Sequence, residues 1–188
     1  CLSSKFLQIV LGLSNKFLRA WQRHVFVFLP TTLYQGELSV FGLNPSKNSV
    51  KIRRLCGYLP GELRLDENVT VKWLIKYFTE LRGDDSKIAK KAYLLCERLK
   101  LDLNPKIKTL SKGNKQKIGI VAAFMHSPDL LLLDEPTASL DPETGDFVRT
   151  FLEDYKKEKK ISVLLASHNM EEVKRLCSSL LMMKDGLI

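Results

Sequence analysis

DLLLLDEPTASLD, residues 129–141, is the stretch whose reading decides the fold. Leu130 to Leu133 form a short, wholly apolar run bounded by turn signals, which suits a strand buried on both faces of a parallel sheet covered by helices. Asp134 and Glu135 then fall at its C-terminal end, where open α/β sheets bind their ligands. Pro136 has no N–H to donate and ends the ladder. Burying two acids costs several kcal/mol unless a cation or hydrogen-bond donors satisfy them. The pair is therefore either a solvated strand end or part of a site, and its neighbours must decide.

Downstream, Asp141 is placed to cap a helix with Pro142 in its first turn. Phe147, Val148, Phe151, Leu152 and Tyr155 give that helix a buried side, and its end runs into the solvated basic stretch Lys156–Lys160. Ile161–Ala166 reads as a second buried strand ending at Ser167-His168. A helix over about 170–177 and a strand over 180–183 follow. This β, α, β, α, β alternation implies an α/β parallel sheet with crossover helices. It sends Glu135 and His168 into one crevice, although a lone His in that position is also an ordinary structural residue.

Upstream, LSKGNKQ at 110–116 opens a helix with Ile118, Val121, Ala122 and Met125 on one face. A Ser/Gly helix start offers free N–H groups and a positive dipole end to phosphate, and it is equally an everyday N-cap. Two further helices are expected. Trp73, Leu74, Tyr77, Phe78 and Leu81 form the core face of one over 70–81, and Ile88, Ala92, Leu95 and Leu99 that of the other over 85–99. Glu37–Phe41 alternates like a strand, Gly42–Pro45 makes a turn, and Lys47–Arg54 reads as a short surface helix before Gly57-Tyr58-Leu59-Pro60-Gly61-Glu62.

Residues 1–35 differ in texture. They hold Lys5, Lys16, Arg19 and Arg23 and no acid before Glu37. Phe6, Ile9, Val10, Leu13 and Phe17 follow helical spacing, which predicts a basic amphipathic helix over about 3–23 or a transit peptide, with a strand at Val25–Leu29. A start at Cys1 and an end just past Asp185-Gly186 suggest a fragment at both ends.

With 188 residues the chain fits one domain. The net charge of +9, from 30 basic and 21 acidic residues, admits nucleic acid, an anionic membrane surface or a phosphate ligand. Neither a glycine–aromatic RNA motif nor zinc-finger spacing occurs, which argues against nucleic acid. Cys1, Cys56, Cys96 and Cys177 show no CxxC pairing, so reduced cytosolic thiols are expected. No apolar run approaches the roughly 18 residues that a membrane span needs.

Taken together, these stretches resemble the ATP-binding subunit of ABC transporters, from about Gly36 to the end. LSKGNKQ is similar to the family's signature motif, LLLLDEP at 130–136 to Walker B with its catalytic Glu, SLD at 139–141 to the D-loop, and Ser167-His168 to the switch histidine. Four motifs in order are a far more specific signal than any one alone. The LSKGNKQ and YLPGE wording is most similar to bacterial exporters of drugs, antibiotics or ions. The resemblance implies a P-loop NTPase-like (RecA-like) parallel sheet flanked by helices, with a helical subdomain inserted over about 63–112. It implies ATP and Mg²⁺ as ligands, membrane-spanning permease subunits and a second ATP-binding subunit as partners, and a place on the cytoplasmic face of the plasma membrane.

By the same resemblance, Asp134 would hold Mg²⁺ through water, Glu135 would polarise the attacking water, and His168 would contact the γ-phosphate. Ser111 and Gly113, with Asn114 beside them, would bind ATP held by the opposing subunit, and Asp141 would couple the two sites. Three departures stand out. Lys112 and Asn114 replace a Gly and the Gln of LSGGQ. Gly61 stands where a Gln is expected after Pro60, leaving Glu62 as the candidate substitute.

The third departure is that GxxxxGK(S/T) occurs nowhere. Counting back from Gly36 puts that loop near 14–21, which reads Ser-Asn-Lys-Phe-Leu-Arg-Ala-Trp. Losing about five charge-assisted hydrogen bonds at ~1.5 kcal/mol each removes ~7 kcal/mol, or about five decades of affinity. The expected sheet is therefore incomplete at its N-terminal side, with residues 1–35 frameshifted or rearranged. Translating the coding DNA in its other two frames tests this; if neither gives a glycine-rich GK(S/T) upstream of the Gly36 codon, the explanation fails.

Overall fold

In a computed structural model of the chain, the structure describes residues 7–11, 39–83, 85–138, 140–159 and 161–183, with the side chains of 7–11, 46 and 181–183 left out. Five strands form one parallel sheet: β1 (Leu7–Leu11), β2 (Cys56–Leu59), β3 (Leu130–Asp134), β4 (Ser162–Ala166) and β5 (Leu180–Met183), in the order β2-β3-β4-β1-β5. The helices are α1 (Pro45–Leu55), α2 (Val71–Leu81), α3 (Ser86–Arg98), α4 (Lys112–Phe124), α5 (Pro142–Lys159) and α6 (Met170–Leu176). Parallel neighbours cannot be joined by a tight turn, so each connection crosses over. Accordingly α4 links β2 to β3 and α5 links β3 to β4.

β3 is the apolar run, and Leu131, Leu132 and Leu133 are all buried. α4 is buried nearly all round, through Ile118, Ile120, Val121, Ala123 and Phe124, and not on the single face that its spacing suggested. It lies between the sheet and the helices that follow β2. Phe124, Phe151 and Tyr155 pack together, Phe124 edge-on to Tyr155 and the other pairs tilted, with ring centroids 4.7 to 6.0 Å apart, and join α4 to α5. Between β2 and α4, residues 67–109 close on themselves. Thr70 and Asp85 cap α2 and α3, and backbone bonds run from Val71 N–H to Pro105 and from Ile107 N–H to Val69.

The structure corrects several expectations. The helix over 3–23 is not found at its described part: Leu7–Leu11 is a strand, paired with β4 on one side and β5 on the other. Periodicity alone cannot separate so short a mostly apolar segment from a helix turn, and an open slot between two parallel strands settles it as a strand. An N-terminal strand is thus present inside the sheet. The Val25–Leu29 strand, the first two residues of Glu37–Phe41 and the Asp185-Gly186 turn lie outside the described residues, and the described part, Ser39–Phe41, is no strand but enters a turn through the single bridge at Val40.

Further on, Val40 and Leu43 bridge around Phe41-Gly42, both at positive φ (53° and 74°), so the turn sits earlier than expected. Cys56–Leu59, read only as a connection, is strand β2. In α2 the buried stripe is Val71, Leu74 and Ile75. Trp73 and Tyr77 stack on each other (5.3 Å) and are 50% and 41% exposed. Residues 71, 74, 75 and 78 fill the core-facing stripe, and 73, 77 and 81 widen the apolar band beyond what the core covers. No helix among the described residues is long and apolar enough to cross a membrane.

Candidate functional site

The register pairs Asp134 with Ala166, so β3 and β4 end side by side. One residue further, Glu135 turns into the left-handed region at φ 47° while its N–H donates to the Ala166 carbonyl at 2.8 Å. A non-glycine residue there costs on the order of 1 kcal/mol and is held only by its surroundings. The turn aims the Glu135 carboxylate at the end of β4. Its Oε1 accepts the His168 backbone N–H at 3.1 Å and lies 2.7 Å from His168 Nδ1. The Glu135 side chain is 20% exposed and the His168 side chain 76%, so the imidazole faces outward on a sheltered acid.

That hydrogen bond, and then the charge of Glu135, hold the His168 pKa above its ordinary 6.5. The folded value is raised, so the pair's contribution is complete below the unfolded pKa and is lost as pH rises through the folded one. Replacing His168 by Ala is expected to cost stability below about pH 6.5, and progressively less as pH rises. Solvent screening keeps the effect under about 1 kcal/mol. Chemical denaturation at several pH values checks it; a difference that grows with pH would contradict the sign.

Asp134 is 2% exposed. Its Oδ2 accepts the Gly61 N–H at 3.2 Å, and a Cβ at Gly61 would sit 3.1 Å from that oxygen. The loop after β2 therefore approaches Asp134 through bare backbone. The charge of Asp134, second to burial, also pushes the Tyr58 phenol up to about 12. Glu62 does not reach this place; its carboxylate is 84% exposed and sits 3.6 Å from Arg64.

Ser111, Gly113, Asn114 and Asp141 gather in a second group. Ser111 caps α4, its Oγ accepting the Asn114 N–H at 3.3 Å. A Cβ on Gly113 would meet Leu140 and Thr144 at 3.7 and 3.5 Å, so the start of α4 lies against the start of α5. Asp141 caps α5 through the Thr144 N–H at 2.9 Å, and its hydrogen bonds to Thr144 hold its carboxyl below the usual range. Ser139 lies outside the described residues. The two groups are linked by Gln116, whose Nε2 donates to the Pro136 carbonyl at 3.2 Å beneath the turn that carries Glu135.

Three of these features escape a reading of the sequence: the Gly61 amide on Asp134, the Gln116 link and the acid Glu172 buried beneath both loops. Only the first left a trace, as a Gly where Gln was expected. The residues present suit a small, hard cation. Asp134 is a buried carboxylate, the hard oxygen donor that such an ion takes. No cluster of three His, Cys, Asp or Glu exists among the described residues.

The ABC transporter family pattern matches residues 27–138. The ABC transporter ATP-binding protein NatA of Bacillus subtilis strain 168 is 35% identical over 156 residues, covering 81% of this chain and 63% of NatA. The linearmycin resistance ATP-binding protein LnrL of the same strain is 34% identical over 160 residues, covering 80% of this chain and 49% of LnrL. The chain thus spans about half to two thirds of the length of these relatives. A solved dimeric structure of a bacterial ABC transporter cassette superposes with a TM-score of 0.82 at 22% identity, covering 98% of this chain and 83% of that one. With the P-loop NTPase-like sheet in place and that family pattern across more than half its length, the chain belongs to the ABC transporter ATP-binding family.

Proposed function

We propose that this chain is the ATP-binding subunit of an ABC exporter, in which its own ATP site is impaired and its signature stretch serves a partner's nucleotide. The observation that carries the reading is the 2.7 Å contact between Glu135 and His168 beside the buried Asp134. Phosphoryl transfer needs charge neutralisation and in-line placement more than covalent chemistry. Glu135 is a sheltered carboxylate placed to take a proton from water. His168 is an exposed imidazole whose raised pKa favours the cation that a phosphate attracts. Asp134 is the candidate Mg²⁺ residue, and the ion when bound would offset phosphate charge.

Ser111, Gly113 and Asn114 sit apart from that trio, at the start of α4. A helix start with free N–H groups suits a phosphate brought by a second ATP-binding subunit. Asp141, at the start of α5, would then face the same junction. Export is favoured by the resemblance to LnrL, which is named for resistance. On this reading the subunit sits against membrane-spanning permease subunits at the cytoplasmic face of the plasma membrane, and nucleic acid is not a partner. Impairment follows from the missing GxxxxGK(S/T).

Calorimetric titration of MgATP into the purified chain tests this. Binding with Kd above about 1 mM is expected. Turnover is expected only when a second, intact ATP-binding subunit is added. Micromolar binding and brisk hydrolysis by the chain alone would overturn the impairment. The second reading, a non-enzymatic remnant, is also favoured by the missing loop; a broad, non-cooperative thermal melt would support it, and a sharp one would remove it.

A further inference from the structure

Glu172 lies in the first turn of α6 and is fully buried. A buried carboxylate costs several kcal/mol unless donors satisfy it. Here two hydroxyls do so. Glu172 Oε1 accepts from Thr137 Oγ1 at 3.0 Å, and Oε2 accepts from Ser167 Oγ at 2.6 Å. Thr137 stands two residues after Glu135, in the turn closed by the Ala138 N–H on the Glu135 carbonyl at 3.0 Å. Ser167 immediately precedes His168. Each hydroxyl therefore belongs to one of the two loops that present the pair, and a single carboxylate takes both.

The Ser167 hydroxyl has no freedom to turn away, because its oxygen also accepts the Asn169 N–H at 3.1 Å and so points its proton at Glu172. Asn169 in turn caps α6 through the N–H groups of Glu171 and Glu172, which fixes the carboxylate's own backbone. Burial raises the Glu172 pKa and the two hydroxyl bonds draw it back.

We infer that Glu172 is a positioning residue: by binding Thr137 and Ser167 together, it sets the spacing of the loops that carry Glu135 and His168. This rests on the reading of that pair as catalytic and adds what holds it in register. The separation at stake is short. A 2.7 Å contact between side chains on two loops is lost if either loop moves by about 1 Å, since hydrogen bonds weaken beyond roughly 3.2 Å.

The test is the imidazole titration of His168 by NMR in the full chain, identified among the three histidines by a His168→Gln spectrum. It needs no nucleotide, so it can succeed where ATP binding fails, and the two ideas fall separately. Thr137→Val removes the hydroxyl while keeping the β-branched shape and the charge of Glu172. Its His168 midpoint is expected to fall by about half a pH unit or more toward 6.5, because Glu135 is no longer held against the ring. Thr137→Ser keeps the hydroxyl and should keep the parent midpoint. Glu172→Gln should fall at least as far as Thr137→Val, since it loses charge as well.

A folded Thr137→Val chain with an unmoved midpoint overturns the inference. If that variant does not fold, Ser167→Ala cuts the other tie: a fall of the same size supports the inference and an unmoved midpoint overturns it. If both unfold the chain, Glu172 is an acid needed for folding alone and the inference fails.

Discussion

Ser111→Asp in the assembled transporter is expected to lower ATP turnover about a thousandfold without unfolding this subunit. Asp is as good an N-cap as Ser, and its charge suits a helix N-terminus, so α4 keeps its start. What changes is the sign presented to an incoming phosphate. Two like charges about 4 Å apart at an effective dielectric of about 20 repel by roughly 4 kcal/mol, or three decades. The larger loss distinguishes the two roles proposed for this chain. Glu135→Gln removes the proposed proton acceptor from the site proposed to be impaired, so it should cost the assembly less than Ser111→Asp does. Steady-state hydrolysis by the two variants, each assembled with an intact second subunit, decides it. If Glu135→Gln is the more damaging, this chain's own site turns over and is not impaired.

How much of this was readable beforehand depends on whether the signal was local. The leucine run, the helical spacing over about 70–81 and 85–99, the caps at Ser111 and Asp141, and the strand end at Ser167-His168 each carry their cause within a few residues, and the elements they predict are present. Glu135 meeting His168 followed from two parallel strands ending at one edge. Leu7–Leu11 escapes because its four apolar residues around Gln8 satisfy both periods, and only the place between β4 and β5 chooses between them. Trp73 and Tyr77 were placed inside because hydrophobic spacing shows a stripe's existence but not its width. Glu172 was invisible for a different reason. In sequence it is one of two acids in the first turn of a helix, where the dipole favours acids anyway. Glu171 is exposed in that role, and nothing local tells that its neighbour turns inward to two hydroxyls from 35 and 5 residues away.

Gly57→Ala is expected to remove about 3 kcal/mol of stability, the upper end for overpacking a core. A Cβ on Gly57 would overlap the carbonyl oxygen of Ala123, and would lie 2.8 Å from Leu131 Cδ2 and 3.0 Å from Pro128 Cγ. The first of these is backbone inside α4, so relief requires the whole helix to move off β2. That helix carries Ser111 and Gly113 at its other end, so Gly57 lets the turn proposed to meet phosphate sit close to the sheet. Gly119 supplies the control. A Cβ there would come within 2.6 Å of Leu59 Cδ1 and 3.1 Å of Leu63 Cδ2, both of them side-chain ends and neither of them backbone. Gly119 is also inside α4, where Ala gains about 1 kcal/mol over Gly in helix propensity. Gly119→Ala should therefore stay within about 1 kcal/mol of the parent, whereas Gly57→Ala should melt roughly 6 to 12 °C lower for a chain of this size. Equal melting temperatures for the two variants would mean that α4 does not press on β2 at Gly57, and the close seating of the signature turn would then need another cause.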